Sequence, residues 1–177
     1  ERAVSARERL GLGDRFGLLT LHRPSNVDAA RQLSALMGVL GEIAHDLPLV
    51  FPVHPRTEQQ LKDLGIPIPN GLKRVQPLGY LEFIGLLDAA TLVLTDSGGV
   101  QEEASVLGVP CLTLRQNTER PITCELGTNR IVGTDSAAIA AAAADALERH
   151  HEPADIPLWD GKAGMRIADV LVRDLLG

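Results

Sequence analysis

A pair of glycines followed by two acidic residues stands in the stretch LTDSGGVQEEASVLGVP, residues 94–110. Gly98 and Gly99 lack a Cβ, so a ligand can approach the main chain closely, and the first amides of a following helix carry partial positive charge. Such a corner suits a phosphate group. The structural alternative is a tight strand-to-helix turn with Ser97 as a helix N-cap, and the glycine pair alone does not separate the two interpretations.

The two acids that follow the glycines favour the phosphate interpretation. Glu102 and Glu103 differ by about 100° around a helix, so one of them can face a ligand at the helix mouth while the other faces solvent. A carboxylate in such a position commonly binds the two hydroxyls of a ribose. We therefore interpret the corner as a nucleotide site, with amides for the phosphates and an acid for the sugar.

Further donors follow other apolar runs of the chain. The turns HRPSN (22–26) and HPR (54–56) supply His22, Arg23 and His54, and the loop after residue 114 supplies Arg115, Glu119 and Arg120. An arginine fork suits phosphate oxygens, and a histidine can donate to a phosphate or transfer a proton near neutral pH. The histidines and cysteines do not fall at metal-ligand spacings, so no metal is expected. The chain has neither a GxxxxGK[ST] loop nor a GxGxxG motif, which argues against P-loop and ordinary dinucleotide chemistry.

The elements that must position these residues alternate between two patterns, which predicts a doubly wound α/β fold with a parallel sheet. In such a sheet ligands bind at the carboxyl ends of the strands, where the polar turns lie. Apolar runs typical of covered strands are 16–21, 47–53, 91–95, 109–114 and 129–133, and helical patterns are 31–47, 56–65, 81–90, 99–108, 137–147 and 162–176. Residues 151–161 read as a loose surface crossover.

Composition narrows the class of protein. The 177 residues are 45% hydrophobic with a net charge of −6, which predicts one domain over residues 1–177 and disfavours a nucleic-acid or anionic-membrane partner. No apolar segment approaches the ~20 residues of a membrane span, and the charged helical start does not resemble a secretion signal, so we expect a cytoplasmic protein. Cys111 and Cys124 form no CxxC pair, and Cys111 is expected to be a buried core residue. Because the first residue is not Met, we expect a fragment of a longer protein.

Several blocks in a fixed order resemble a known family. TLHRPSNVD, VFPVHPRT, the run from PLGYLEF through TDSGGVQEE to RQNTERP, and GTNRIVG resemble the C-terminal domain of the non-hydrolysing UDP-N-acetylglucosamine 2-epimerases. The resemblance extends from about residue 10 to the end of the chain. It implies a Rossmann-like domain from a two-domain enzyme similar to GT-B glycosyltransferases, whose active site lies in the cleft between the halves.

The resemblance also implies roles. Ser97, Gly98, Gly99 and Arg23 would bind the diphosphate and Glu103 the ribose. Phe83 would lie against the uracil and His54 would complete the UDP site. His22 would act beside the reacting sugar, and Arg115, Glu119 and Arg120 would line the cleft. The family reaction interconverts UDP-GlcNAc and UDP-ManNAc for cell-envelope polysaccharides by eliminating and re-adding UDP, with no cofactor, in an enzyme expected to be a homodimer; the isolated domain would be a monomer.

Two departures from the family pattern stand out. Ser25 stands where many members carry a glutamate. The chain therefore lacks the side chain that fills the role of that glutamate, which in some relatives includes a regulatory contact with a UDP-sugar. By the resemblance, we expect the acids that move protons to lie on an N-terminal domain outside this sequence, so we expect the chain alone to be inactive. Two other hypotheses remain: the donor-binding half of a glycosyltransferase, and a non-catalytic module that binds UDP-sugars.

Overall fold

The computed structural model describes residues 2–148 and 154–176, which contain a six-stranded sheet. Its order is β3-β2-β1-β4-β5-β6, and every neighbouring pair is parallel. The order reverses between β1 and β4, so the carboxyl ends of these two strands flank the switch point at which ligands bind in such sheets. The strands are β1 (Gly17–Thr20), β2 (Leu49–Pro52), β3 (Leu72–Val75), β4 (Leu92–Thr95), β5 (Cys111–Thr113) and β6 (Asn129–Ile131).

Helices connect the strands and cover both faces of the sheet, so the predicted doubly wound α/β fold is confirmed. Each predicted strand and helix overlaps an observed one, and most ends differ by one to three residues. The helices are α1 (Arg2–Arg9), α2 (Pro24–Val27), α3 (Ala30–Asp46), α4 (Pro55–Asp63), α5 (Tyr80–Asp88), α6 (Gly98–Leu107), α7 (Ile122–Glu125), α8 (Ser136–Glu148) and α9 (Ala163–Leu176).

The sequence pattern did not reveal β3 or the short helices α2 and α7. Strand β3 reads LKRV; Leu72 is buried while Lys73 and Arg74 are exposed. It pairs only with β2 and forms an edge of the sheet. Charged side chains are common on edge strands because they discourage pairing with another chain, and they remove the continuous apolar run that identified the other strands.

The two faces of the sheet bury separate apolar clusters. Leu18 and Leu19 of β1 point to opposite faces and are both fully buried. Leu19 packs in the cluster that includes α3 and α8, whereas Leu18 packs in the cluster that includes α5 and α6. Fully burying such a side chain contributes about 1.5–3 kcal/mol, so the sheet is held rigidly from both sides. Cys111 lies in the second cluster, and its burial raises the pKa of the thiol, which confirms the prediction of a core residue.

The end of the described chain returns along α6. The Ala154 amide donates to the Ser105 carbonyl at 3.2 Å, and Ile156 is buried; residues 151–153 of the expected crossover lie outside the described residues. The helix predicted over 162–176 is observed as α9, and its apolar side chains Ile167, Val170 and Leu171 are exposed, between 45% and 60% accessible. Within the described residues, no helix combines the length and hydropathy needed to cross a bilayer.

Candidate functional site

A buried carboxylate organises the corner between β1 and β4. Asp96 follows β4 and is fully buried. It accepts hydrogen bonds from the main-chain amides of His22 at 3.1 Å and Arg23 at 2.9 Å, and from Nδ2 of Asn26 at 3.1 Å. Asp96 therefore ties the turn after β1 to the start of α6. The sequence analysis gave Asp96 no role; the one available signal was an acid directly after the apolar run 91–95.

Asp96 also contacts the His22 ring, whose Nδ1 lies 3.0 Å from Oδ1 of Asp96. Burial by itself would raise the pKa of Asp96. The hydrogen bond from the His22 side chain and the backbone amides of Arg23 and His22 outweigh that effect, so the pKa of Asp96 lies below its usual value. A carboxylate that accepts several N–H groups is stabilised in its charged form. The carboxylate thus stays ionised behind the histidine.

The start of α6 leaves its polar groups available. Ser97 is the N-cap residue but its side chain makes no capping hydrogen bond, while its amide donates to Oγ1 of Thr95 at 2.9 Å. The first amides of a helix have no partner within the helix and attract anions. Ser97 is therefore not the simple side-chain cap of the structural alternative.

Neither glycine at this corner is required by the fold. Neither has a positive φ, and a Cβ built on Gly99 would meet no atom within 4 Å. A Cβ on Gly98 would make only ordinary contacts of 3.9 Å with Arg120 and Glu119. Since the protein itself leaves room for a side chain at both positions, the packing of the fold does not explain the bare backbone.

One cavity of about 250 Å³ brings four of the predicted residues together. Its lining includes His22, His54, Phe83 and Ser97, which come from the ends of β1, β2 and β4 and from α5. The rings of His22 and His54 are 5.9 Å apart between centroids. The lining combines apolar side chains such as Phe83 with polar ones such as the two histidines and Ser97, a mixture that is common in ligand sites.

Three further predicted residues form an ion-pair group beside the mouth of α6. Arg115 makes two 2.7 Å hydrogen bonds to the Glu119 carboxylate, and Arg23 lies 3.9 Å from the same carboxylate. Arg115 holds the pKa of Glu119 down at about 2. Nε of Arg23 also donates to the Asp96 carbonyl at 3.3 Å, which fixes its guanidinium at this edge.

The two acids of α6 face different neighbours. Oε1 of Glu102 lies 2.7 Å from Nε of Arg120. Both acids line a cavity of about 420 Å³ whose walls include Tyr80 and Trp159, but no arginine contact is found for Glu103 among the described residues. Burial raises the pKa of Glu103, the Tyr80 hydroxyl opposes that rise, and the charge of Glu102 adds to it.

The structure thus places the predicted site residues in distinct groups. His22, His54, Phe83 and Ser97 share a cavity. Arg23, Arg115 and Glu119 form the ion-pair group, Arg120 reaches from that loop to α6, and Glu103 lines the separate cavity. Across residues 2–148 and 154–176, no group of three or more His, Cys, Asp or Glu side chains is arranged to hold a metal ion.

Sequence reasoning also missed Gln101 of α6. Its side-chain oxygen accepts hydrogen bonds from the Thr118 hydroxyl and from Nδ2 of Asn129, the latter at 3.3 Å. Gln101 and Glu102 therefore hold the 118–120 segment against α6 through Thr118 and Arg120. A glutamine on the buried face of a helix was the available signal, because a buried amide needs partners.

Comparison with known proteins shows which family the chain resembles. The sequence model of the UDP-N-acetylglucosamine 2-epimerase family matches residues 2–172. A UDP-N-acetylglucosamine 2-epimerase of Methanocaldococcus jannaschii is 42% identical over 166 residues, which cover 90% of this chain and 45% of that protein. A UDP-2,3-diacetamido-2,3-dideoxy-D-glucuronate 2-epimerase of Pseudomonas aeruginosa is 39% identical over 97% of this chain and 49% of its own length. The chain spans about half the length of these relatives.

A solved structure supports the same relationship. The M. jannaschii UDP-GlcNAc 2-epimerase, crystallised with UDP-GlcNAc and UDP, superposes with a TM-score of 0.84 and 39% identity over 96% of this chain and 48% of that one. The resemblance seen in the sequence blocks is confirmed. Since the family's sequence model covers nearly the whole chain, the chain belongs to the UDP-N-acetylglucosamine 2-epimerase family.

Proposed function

We propose that this chain is the UDP-binding half of an isomerase that interconverts UDP-GlcNAc and UDP-ManNAc. The observation that carries the proposal is the Asp96 cluster, which holds the His22-Arg23 turn against the start of α6. The amides of Gly98 and Gly99 and the Arg23 guanidinium would then bind one diphosphate together. A diphosphate there would meet partial positive charge from the helix and full charge from arginine.

The remaining contacts follow from the position of the diphosphate. Phe83 would lie against the uracil in the cavity with His22 and His54. Glu103 would accept from the ribose hydroxyls, while Glu102 stays with Arg120. Arg115, Glu119 and Arg120 would line the entrance to the cleft. The names of both relatives, and the UDP-bound M. jannaschii structure, support a UDP-sugar as the ligand.

The proposed reaction needs no redox cofactor and no metal. Removal of the sugar C2 proton and departure of UDP from C1 give a glycal, and re-addition of UDP at C1 with a proton at C2 gives the epimer. UDP is both leaving group and nucleophile, so the half that holds it must retain it through the cycle. This chain would supply that retention, and carboxylates on a second domain would move the protons. We place the full-length enzyme in the cytoplasm as a homodimer.

A second candidate concerns the sugar alone. The P. aeruginosa relative is named for a diacetamido glucuronate rather than GlcNAc, and the contacts proposed here recognise UDP, which the two substrates share. The same UDP site would therefore serve either sugar. Measuring the turnover of each UDP-sugar with one preparation of the full-length protein separates the two candidates, because the true substrate should be converted faster than the other.

The proposal is tested by following the C2 proton of UDP-GlcNAc by NMR in heavy water. The full-length protein should incorporate deuterium at C2 and form the manno epimer. The 177-residue chain should bind UDP weakly and catalyse neither process, because proton transfer and positioning each contribute orders of magnitude in rate. A full-length protein that releases free GlcNAc or transfers it to an acceptor, with no exchange at C2, would refute the isomerase.

A further inference from the structure

The two histidines of the shared cavity engage their Nδ1 atoms in opposite ways. His22 and His54 line the same cavity with ring centroids 5.9 Å apart. Nδ1 of His22 faces a carboxylate, whereas Nδ1 of His54 faces a main-chain amide. A neutral imidazole carries one proton, and the hydrogen bond at one nitrogen decides which nitrogen holds it.

The partner of His22 can only accept. Asp96 is fully buried, and its described contacts are with donors, namely the amides of His22 and Arg23 and the Asn26 side chain. An ionised carboxylate has no proton to give. Nδ1 of His22, at 3.0 Å from Oδ1 of Asp96, must therefore carry the hydrogen, and the neutral ring leaves Nε2 bare on the edge turned away from Asp96.

The partner of His54 can only donate. His54 is the N-cap residue of α4, and the Arg56 amide donates to its Nδ1 at 3.2 Å. A backbone amide has no lone pair available to accept a hydrogen bond. Nδ1 of His54 is therefore bare, and the neutral ring carries its hydrogen on Nε2.

We propose that Asp96 and the start of α4 hold His22 and His54 in opposite tautomers, so that the cavity presents one imidazole acceptor and one imidazole donor. Resting on the UDP-sugar function proposed above, the bare Nε2 of His22 accepts from a sugar hydroxyl, and Nε2–H of His54 donates to an anionic oxygen of the nucleotide. Asp96 is a positioning residue in this arrangement, because it acts on the ligand only through the ring of His22.

The tautomers can be read directly by ¹⁵N NMR of the imidazole nitrogens at pH about 9, above the usual titration range of histidine. We expect a protonated Nδ1 and bare Nε2 for His22, and the reverse for His54. The same tautomer in both rings would overturn the inference. This spectrum of the unmodified protein decides the tautomers without any variant or ligand.

The role of Asp96 is tested with Asp96→Asn, which keeps the shape and the acceptor oxygen for the backbone amides. Its carboxamide N–H would face the His22 ring, so His22 should change to the Nε2–H tautomer, while His54 serves as the internal control and stays unchanged. An unchanged His22 in the folded variant would show that Asp96 does not set the tautomer. If the variant does not fold, Asn26→Ala provides the second test. It removes one donor to Asp96 but leaves the carboxylate in place, so His22 should keep its hydrogen on Nδ1. A change of His22 to the Nε2–H tautomer in Asn26→Ala would contradict the assignment.

Ligand titration separates this inference from the proposed function. In Asp96→Asn, affinity for UDP-GlcNAc should fall roughly fivefold to tenfold more than affinity for UDP does, as expected for one lost hydrogen bond to the sugar. Equal losses for both ligands would overturn the assignment of His22 to the sugar. Opposite tautomers in a protein that binds neither UDP nor UDP-GlcNAc would refute the proposed function and the ligand contacts of both histidines, but not the role of Asp96 in fixing the ring.

Discussion

Oε1 of Glu102 lies 2.7 Å from Nε of Arg120. This contact ties the first acid of α6 to the loop that follows β5, whereas the second acid, Glu103, interacts with the Tyr80 hydroxyl in the cavity that both acids line. The offset of about 100° between neighbouring helical residues thus gives the two acids different neighbours. Their variants should separate loop anchoring from ribose binding.

Glu103→Gln should weaken UDP binding, because a neutral amide replaces the carboxylate proposed to accept from the ribose hydroxyls. A hydrogen bond to a charged group is worth about 1.5–3 kcal/mol, or roughly ten- to a hundredfold in affinity. Isothermal titration calorimetry with UDP measures the change. Glu102→Gln is the matched control and should lose less than about threefold, the scale of an exposed ion pair. A larger loss for Glu102→Gln would reverse the assignment.

The same residue predicts a pH-dependent change in stability. Burial raises the pKa of Glu103, the Tyr80 hydroxyl opposes the rise, and the charge of Glu102 adds to it. The folded state therefore binds more protons than the unfolded state between the ordinary glutamate pKa and the raised value, so this group makes the free energy of unfolding fall as pH increases through that window. Glu103→Gln should raise Tm near pH 7 and have little effect at a pH below the ordinary value. A lower Tm at pH 7 with a normal spectrum would contradict this.

Gly99→Ala should separate folding from binding. A Cβ at this position would meet no protein atom within 4 Å, so the free energy of unfolding, measured in urea, should stay the same or rise by about 0.4–1 kcal/mol. Affinity for UDP should fall roughly tenfold or more, since the methyl group occupies the space of the approaching phosphate.

Gly38→Ala is the control for that substitution. Gly38 is an exposed residue of α3 that also has no atom within 4 Å of a built Cβ. Its substitution should stabilise the helix by about 0.5–1 kcal/mol without changing UDP affinity. If Gly99→Ala bound UDP as tightly as Gly38→Ala does, the diphosphate would have to lie elsewhere.

The sequence predicted the parts of the fold that have a strong local pattern. Continuous apolar runs identified the strands that are covered on both faces. The edge strand β3 was not predicted, because Lys73 and Arg74 interrupt its apolar run. The site residues were predictable because parallel strands bring their carboxyl ends to one edge. The roles of Asp96 and Gln101 could not be predicted from the sequence. Asp96 lies 74 residues from its partner His22, and Gln101 lies 28 residues from its partner Asn129. No local sequence pattern indicates contacts between residues so far apart.

Exhaustive chelation should leave UDP affinity unchanged. The amides at Gly98 and Gly99, together with the Arg23 guanidinium, supply the positive charge that a metal would otherwise provide to a diphosphate. Titration of UDP before and after treatment with EDTA measures this. A fall in affinity that magnesium restores would mean that the diphosphate depends on a cation.

Amide NMR of the protein during a UDP titration tests the central claim most directly, because it asks whether UDP binds at the corner built by Asp96. We predict saturable shifts concentrated at His22, Arg23 and the first turn of α6 (97–100), with smaller shifts near Glu103 and Phe83 and none on α3 or α8. No saturable shifts, or shifts concentrated away from the Ser97–Gly98–Gly99 corner, would contradict the account.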